Sequence, residues 1–294
     1  MGQSLFEKNL YELICRTSTD LPVDVENALR RYLAREKRGT LATWCIETIL
    51  CNTLLARNGD APICQDTGAL HFYYLVPVGF DTNALVAVTR SAVSRATRQG
   101  YLRQNTVDSV FGGSYETNIA PGAPVFHFQQ GARKTVDVRL VMKGGGCENM
   151  GIQYSLPDES IEAGRDMDGV RQCILDAVWK IQGNGCAPGV LGVCIGGDRT
   201  TGYEHSKEQF LRKVSDRSNV KTLARMEARI MKDVLKLGIG PMGLGGRTSL
   251  LGVKIGALSR LPACYFVTVS YMCWAFRRRG MVLGPGGGLR RWVY

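Results

Sequence analysis

The stretch Val136-Asp-Val-Arg-Leu-Val-Met-Lys143, continued by Gly144-Gly-Gly-Cys-Glu-Asn149, decides how this chain is read. Val136, Val138, Leu140 and Met142 alternate with Asp137, Arg139 and Lys143, a period of two that predicts a strand with one buried face. The strand runs straight into three glycines. Apolar elements ending in glycine-rich turns recur along the chain. Asn83 to Arg98 has helical spacing, as do two earlier segments: Val25, Ala28, Leu29, Tyr32 and Leu33 share one face, and Leu41, Cys45, Ile49 and Leu50 another. His71 to Val76 reads as a strand behind the polar turn Ala61-Pro-Ile-Cys-Gln-Asp-Thr-Gly68. Further on, Asp158 is the expected cap of a helix carrying Val170, Cys173, Ala177, Val178 and Ile181. That helix stops at Gly183-Asn-Gly-Cys-Ala-Pro-Gly189, and Val190 to Ile195 reads as a buried strand. A long amphipathic helix is expected over 206–237, broken by Gly238-Ile-Gly-Pro-Met-Gly-Leu-Gly-Gly246. Strands are expected over 249–255 and 264–272. Helices alternating with short buried strands predict a mixed α/β fold, with a helical N-terminal portion packed with a glycine-loop-rich α/β portion. No repeat and no linker composition divides it, so residues 1–280 are expected to form one domain, and 281–294 a loose Gly/Arg-rich tail.

Bulk properties narrow the function. The chain has 294 residues, 45% of them hydrophobic, which is enough for a sizeable core. No run reaches the roughly 20 apolar residues that cross a bilayer. The N-terminal residues lack the basic-then-apolar order of a secretion signal, and Gly2 with Ser4 is a poor match to a myristoylation site. A soluble cytoplasmic protein is expected. The net charge is +11, part of it in Arg277, Arg278, Arg279, Arg290 and Arg291. No basic stripe interleaved with aromatics accompanies it, so nucleic acid is not an expected partner; an anionic substrate suits the same charge. Walker and dinucleotide loops are absent.

The ten cysteines form no CxxC pair, which removes the usual zinc-ribbon and thioredoxin readings. Most lie in apolar runs and read as small buried hydrophobes. Cys64 and Cys186 instead lie in polar or Gly/Pro-rich turns, and Cys273 ends a strand in Tyr271-Met-Cys-Trp-Ala-Phe-Arg-Arg278. Thiolates on separate loops suit soft metals and iron–sulfur clusters.

Several blocks carry a resemblance. Cys64-Gln-Asp-Thr-Gly68 is similar to the first cluster loop of the class I iron–sulfur hydro-lyases, the tartrate dehydratase and class I fumarase family. In family order follow Arg103-Gln-Asn-Thr-Val-Asp108, Lys143-Gly-Gly-Gly-Cys-Glu-Asn149, Asn184-Gly-Cys-Ala-Pro-Gly-Val-Leu-Gly-Val-Cys-Ile-Gly-Gly197, Gly238 to Gly246, and Tyr271 to Arg278. The resemblance covers roughly residues 10–280. It implies an α-type subunit with a [4Fe–4S] cluster on Cys64, Cys186 and Cys273 and no ligand role for Cys147 or Cys194. It makes Asp66 the catalytic acid group, Arg103 the partner of a substrate carboxylate, and Gln65, Asn118, Gly144, Gly145 and Gly146 lining residues. It further implies a small 2-hydroxy dicarboxylate as substrate and a β-type subunit as partner, in a heterodimer or heterotetramer. Tartrate is the first substrate expected; fumarate or a methylated malate or mesaconate is the alternative, and a non-catalytic iron–sulfur protein is the rival outside enzymes. One departure stands out: where family members often carry a histidine ahead of the third cluster loop, this chain has Leu261, so a polar substrate contact is missing.

Overall fold

The computed structural model describes residues 4–294; Gly2 lies outside them. In chain order the elements are α1 (Leu5–Thr19), α2 (Val23–Leu33), α3 (Leu41–Gly59), β1 (Ala69–Pro77), α4 (Thr82–Arg98), β2 (Val125–Gly131), β3 (Val136–Lys143), α5 (Gly145–Asn149), β4 (Ile152–Ser155), α6 (Met167–Ile181), β5 (Gly189–Ile195), α7 (Arg199–Glu208), α8 (Lys221–Val234), β6 (Leu250–Ala257), β7 (Phe266–Met272), β8 (Arg278–Leu283) and β9 (Leu289–Val293). The fold is mixed α/β. It divides into two compact units, each assembled from separated segments. One takes the chain up to Pro22, Asn52–Gly145 and Arg277–Tyr294; the other takes Val23–Cys51 and Gly146–Phe276. The chain passes from one unit to the other more than once, so no single linker marks the division.

The first unit is built on a five-stranded sheet of order β2-β1-β3-β8-β9. β1 and β2 run parallel; the other pairs are antiparallel. Period-two alternation sends Leu70, Phe72, Tyr74 and Val76 of β1 and Val136, Val138, Leu140 and Met142 of β3 to one face. There they meet Leu10, Leu13 and Ile14 of α1 and Leu85, Ala92, Val93 and Ala96 of α4. The helices begin where short polar side chains accept otherwise unpaired N–H groups: Ser4 from Glu7, and Asp81 from Ala84. Residues 281–294, expected to be loose, are corrected by the structure. β8 and β9 pair as an antiparallel hairpin on this sheet. The turn between them is held by the Asn9 side chain, which donates to the Gly287 carbonyl at 2.7 Å. The Arg16 guanidinium stacks 4.6 Å from the Trp292 ring centroid. Met281 and Leu283 supply core, which the glycines around them concealed in the sequence.

The second unit carries a four-stranded sheet of order β4-β7-β5-β6, with β5 and β7 buried along their whole length. Helix α7 crosses close above: a Cβ on Gly192 would stand 2.1 Å from the Ser206 carbonyl oxygen, so only glycine admits the helix backbone there. Two helix expectations are corrected. Asp158 caps only a short 3₁₀ turn, whereas the helix carrying Val170 and Cys173 starts at Asp166, whose carboxylate accepts from Gly169 at 2.7 Å. The long helix over 206–237 is two helices, α7 and α8. Between them, Ser218 Oγ takes the Val220 N–H, and buried Glu227 takes the N–H groups of Ser218 and Ile255 and an N–H of Arg212. Short polar side chains thus satisfy the backbone in a way that competes with helix. Among the described residues, no helix is long and apolar enough to cross a membrane.

Removing a side-chain cap of this kind costs about 1 kcal/mol. Asp166→Ala is therefore expected to lower the unfolding free energy by about that amount in denaturant titration, with little change in the folded chain's circular dichroism.

Candidate functional site

In the first unit the Cys64–Gly68 turn is pinned before it begins. The Ile63 N–H donates to the Ser18 carbonyl at 3.0 Å, and the Ile63 carbonyl accepts the Asn52 amide at 3.0 Å. Asp66 then ties the turn to the end of β3: its Oδ2 accepts the Gly145 N–H at 2.7 Å, and its Oδ1 accepts the Gly68 N–H at 2.9 Å and the Asn105 amide at 3.2 Å. Two glycines make this approach feasible. A Cβ on Gly144 would lie 2.7 Å from Asp66 Oδ2, and one on Gly68 would lie 2.6 Å from the Lys143 carbonyl carbon. Gly68 also has φ +78°, a conformation that side chains resist.

The Arg103 loop joins the same assembly. Buried Thr67 accepts the Arg103 N–H at 3.0 Å and the Asn105 amide at 3.3 Å. Asn118, buried and at φ +58°, accepts the N–H groups of Asn105 and Thr106 and donates to the Arg103 carbonyl and to Thr97 Oγ1. With its amide fully engaged, Asn118 shapes the loop that presents Arg103. The Arg103 guanidinium is exposed, and among the described residues nothing pairs with it. Gln65 and Gly145 are exposed, and Gly144 is buried. Gly146 is exposed at the start of the other unit. Arg277 was not singled out from sequence. It is 1% exposed, yet its Nη2 donates to the Asp66 carbonyl at 2.7 Å, and its own carbonyl accepts from Met142. Its signals were its place at the end of the block resembling the third cluster loop and in a run of arginines, and that run reads equally well as a solvated surface.

In the second unit Cys186 is exposed and sits at φ +54°. Its carbonyl accepts the Trp274 N–H at 3.3 Å. The Cys273 N–H donates to the Cys147 thiol at 3.3 Å, so Cys147 supports the Cys273 turn. The ring of Tyr271 fills the space beside these turns: a Cβ on Gly185 or Gly189 would lie within 2.4 Å of it. Its hydroxyl is buried and has no hydrogen-bond partner among the described residues. Burial, and then the Cys273, Cys147 and Cys186 thiols nearby, hold that hydroxyl well above the usual phenol range. The glycine segment 238–246 closes on the Cys186 turn, where the Met242 N–H donates to the Ala187 carbonyl at 2.9 Å. Leu261 lies in the β6–β7 connection and is 71% exposed.

Among the described residues, no three His, Cys, Asp or Glu side chains are gathered as ligands of a single metal ion. The donor chemistry nevertheless suits a cluster. Cys64, Cys186 and Cys273 are at least partly accessible, as are Cys51 and Cys264, whereas Cys15, Cys45, Cys147, Cys173 and Cys194 are buried. Burial pushes the Cys173 and Cys194 thiols up to about 12 and Cys15 up to about 11, which keeps them protonated and poor ligands. The buried Arg277 guanidinium at the Cys64–Asp66 turn, whose Nε and Nη1 lack partners among the described residues, fits a neighbouring anionic group.

The chain matches the fumarate hydratase (Fumerase) family model over residues 7–282. It is 47% identical over 296 residues to a putative fumarate hydratase class I of Geobacillus stearothermophilus, an alignment covering 99% of this chain and 57% of that protein. The chain therefore spans little more than half the length of that relative. Over 273 residues it is 28% identical to a putative L(+)-tartrate dehydratase subunit alpha of Methanocaldococcus jannaschii, covering 91% of this chain and 93% of that one. Over 264 residues it is 30% identical to the L(+)-tartrate dehydratase subunit alpha of Escherichia coli K12, covering 89% and 85%.

Thiol accessibility yields a direct test. Brief alkylation of the metal-free native chain at pH 8, read by mass spectrometry, is expected to modify Cys186 and Cys51 first and to leave Cys173 and Cys194 unmodified until the chain is denatured.

Proposed function

Because the chain belongs to the fumarate hydratase (Fumerase) family, we propose that it is the iron–sulfur half of a hydro-lyase that adds water to, or removes it from, a small dicarboxylate. The observation that carries this reading is the Asp66 carboxylate held by the Gly68 and Gly145 N–H groups and the Asn105 amide, with a free guanidinium on the adjoining loop. In this reading Cys64, Cys186 and Cys273 ligate a [4Fe–4S] cluster. When bound, the cluster supplies a Lewis-acidic iron with an open coordination position.

The remaining steps fall to the chain. Arg103 binds one substrate carboxylate through two parallel N–H donors, geometry that a lysine lacks. Thr67 and Asn118 keep that arginine loop in register with the Asp66 turn. Asp66 exchanges a proton with the oxygen leaving or entering the substrate. Its three donors prevent the carboxylate from rotating, so the proton-transfer distance is set before substrate arrives. Gln65 and the glycines at 144–146 line the same site. The proton on the neighbouring carbon is taken by a base outside this chain, on a β-type half, fused or separate. Two observations support such a half: the chain matches only 57% of the Geobacillus relative, and two tartrate relatives are named as alpha subunits.

Fumarate and malate are the substrates favoured, because identity to the relative named for fumarate is 47% against 28% and 30% to those named for tartrate. Tartrate, the first expectation from the sequence, is the second reading. It is supported by alignment of 91% and 89% of this chain with relatives named as tartrate dehydratase alpha subunits.

The tests are made on anaerobically reconstituted chain, and kinetics on its complex with a β-type half. Cys64→Ser, Cys186→Ser and Cys273→Ser are each expected to lose the cluster, while Cys173→Ser keeps it; full iron in Cys64→Ser contradicts the ligand assignment. Asp66→Asn is expected to lower kcat per bound cluster by roughly 10²–10⁴-fold. Arg103→Ala is expected to weaken substrate binding by about 2–5 kcal/mol. Near-normal kinetics in both would reduce the two residues to a turn cap and a surface charge.

A further inference from the structure

Arg277 is buried to 1% exposure, and only one of its donors is satisfied by protein, through the Asp66 carbonyl. Nε and Nη1 have no partner, and no carboxylate among the described residues pairs with it. Three other enclosed cations meet carboxylates, and Arg278, equally buried, lies over the Tyr294 ring at 4.6 Å from its centroid. Lys254 meets Asp216 at 3.2 Å, Arg212 meets Glu227 at 2.9 Å, and Arg279 meets Asp20 at 3.1 Å. A buried guanidinium facing only a neutral carbonyl is costly unless an anion completes its surroundings. Clamping the turn through the Asp66 carbonyl needs a single N–H and no charge. Substrate is a poor candidate for the missing anion, because it must enter and leave at every turnover and Arg277 has almost no accessible surface. A resident group assembled in place meets no such barrier.

We propose that Arg277 is the fixed counter-charge of the iron–sulfur cluster, its Nε and Nη1 donating to the thiolate of Cys64 or to the sulfurs beside it. The inference rests on the cluster reading given under Proposed function. A cluster held by three thiolates is a net anion, and reduction makes it more negative. Hydrogen bonds to its sulfurs and nearby positive charge raise its reduction potential. Arg277 is thus a positioning and tuning residue rather than a catalytic one. It holds the Cys64–Asp66 turn through one donor and stabilises the charge of the bound cluster through the other two.

The test compares the full chain with Arg277→Lys and Arg277→Gln, each reconstituted anaerobically with iron and sulfide. Iron and sulfide content, circular dichroism and a redox titration followed by electron paramagnetic resonance are read on the same samples. Arg277→Gln is expected to shift the reduction equilibrium about tenfold toward the oxidised cluster, equivalent to about 59 mV for one electron. Arg277→Lys keeps the charge and is expected to stay close to wild type. If Arg277→Gln retains no cluster, Arg277→Lys decides: a retained cluster with near-wild-type potential supports the proposal, and its loss overturns it. A wild-type potential in Arg277→Gln, or equal shifts in both variants, overturns it as well. A wild-type chain that takes up no cluster defeats the underlying cluster reading, and this inference falls with it. A loaded wild type with an unaltered Arg277→Gln defeats this inference alone.

Discussion

The Asp66 Oδ2 to Gly145 N–H hydrogen bond, 2.7 Å long, holds the cysteine turn against the glycine loop at the end of β3. Most of the candidate chemistry in the first unit depends on that join. It requires two backbones to approach more closely than side chains permit, which Gly68 and Gly144 allow. Once the turn is seated, its next residue, Thr67, becomes the acceptor that places Arg103, and its backbone carbonyl at Asp66 becomes the acceptor for Arg277. A carboxylate, an exposed guanidinium and a buried guanidinium are thereby referenced to one five-residue turn. That turn is in turn anchored to α1 and α3 through the Ser18 carbonyl and the Asn52 amide.

Much of this was legible in the sequence because it rests on local periodicity. The alternation of Val136 to Met142, the apolar runs of β5 and β6, and the helical face of α4 are all where the pattern puts them. Failures fall where tertiary hydrogen bonding overrides local pattern. The helical spacing of Leu223, Met226, Ile230 and Val234 was extended back across the polar stretch 215–219, but there Glu227 and Ser218 capture backbone N–H groups and the chain breaks into two helices. The tail looked loose because glycine and arginine dominate it, yet the Asn9 amide and the edge of β3 give its backbone partners. The two-unit division was hidden for a different reason: each unit is assembled from distant segments, which leaves no trace in composition.

At the site, the sequence resemblance supplied the cysteines, Asp66 and Arg103, and the structure supplied the roles of the residues between them. Asn118 reads in sequence as one more polar lining residue. Its four hydrogen bonds make it the brace of the Arg103 loop, a role that Asn can fill at positive φ because it combines two acceptor positions with two donors. Cys147 was given no role from sequence and turns out to accept the Cys273 N–H. Leu261 is a departure that the fold accommodates by leaving the side chain in solvent, so the polar group missing there is not replaced by a new packing contact in the core.

The proposed cluster leaves one iron open for substrate. Mössbauer spectroscopy of the chain reconstituted with labelled iron, in complex with a β-type half and with and without malate or fumarate, tests it most directly. One iron site is expected to differ from the others, and its signal alone to move when the dicarboxylate is added. Equivalent iron sites, or a spectrum unchanged by substrate while turnover proceeds, would contradict it.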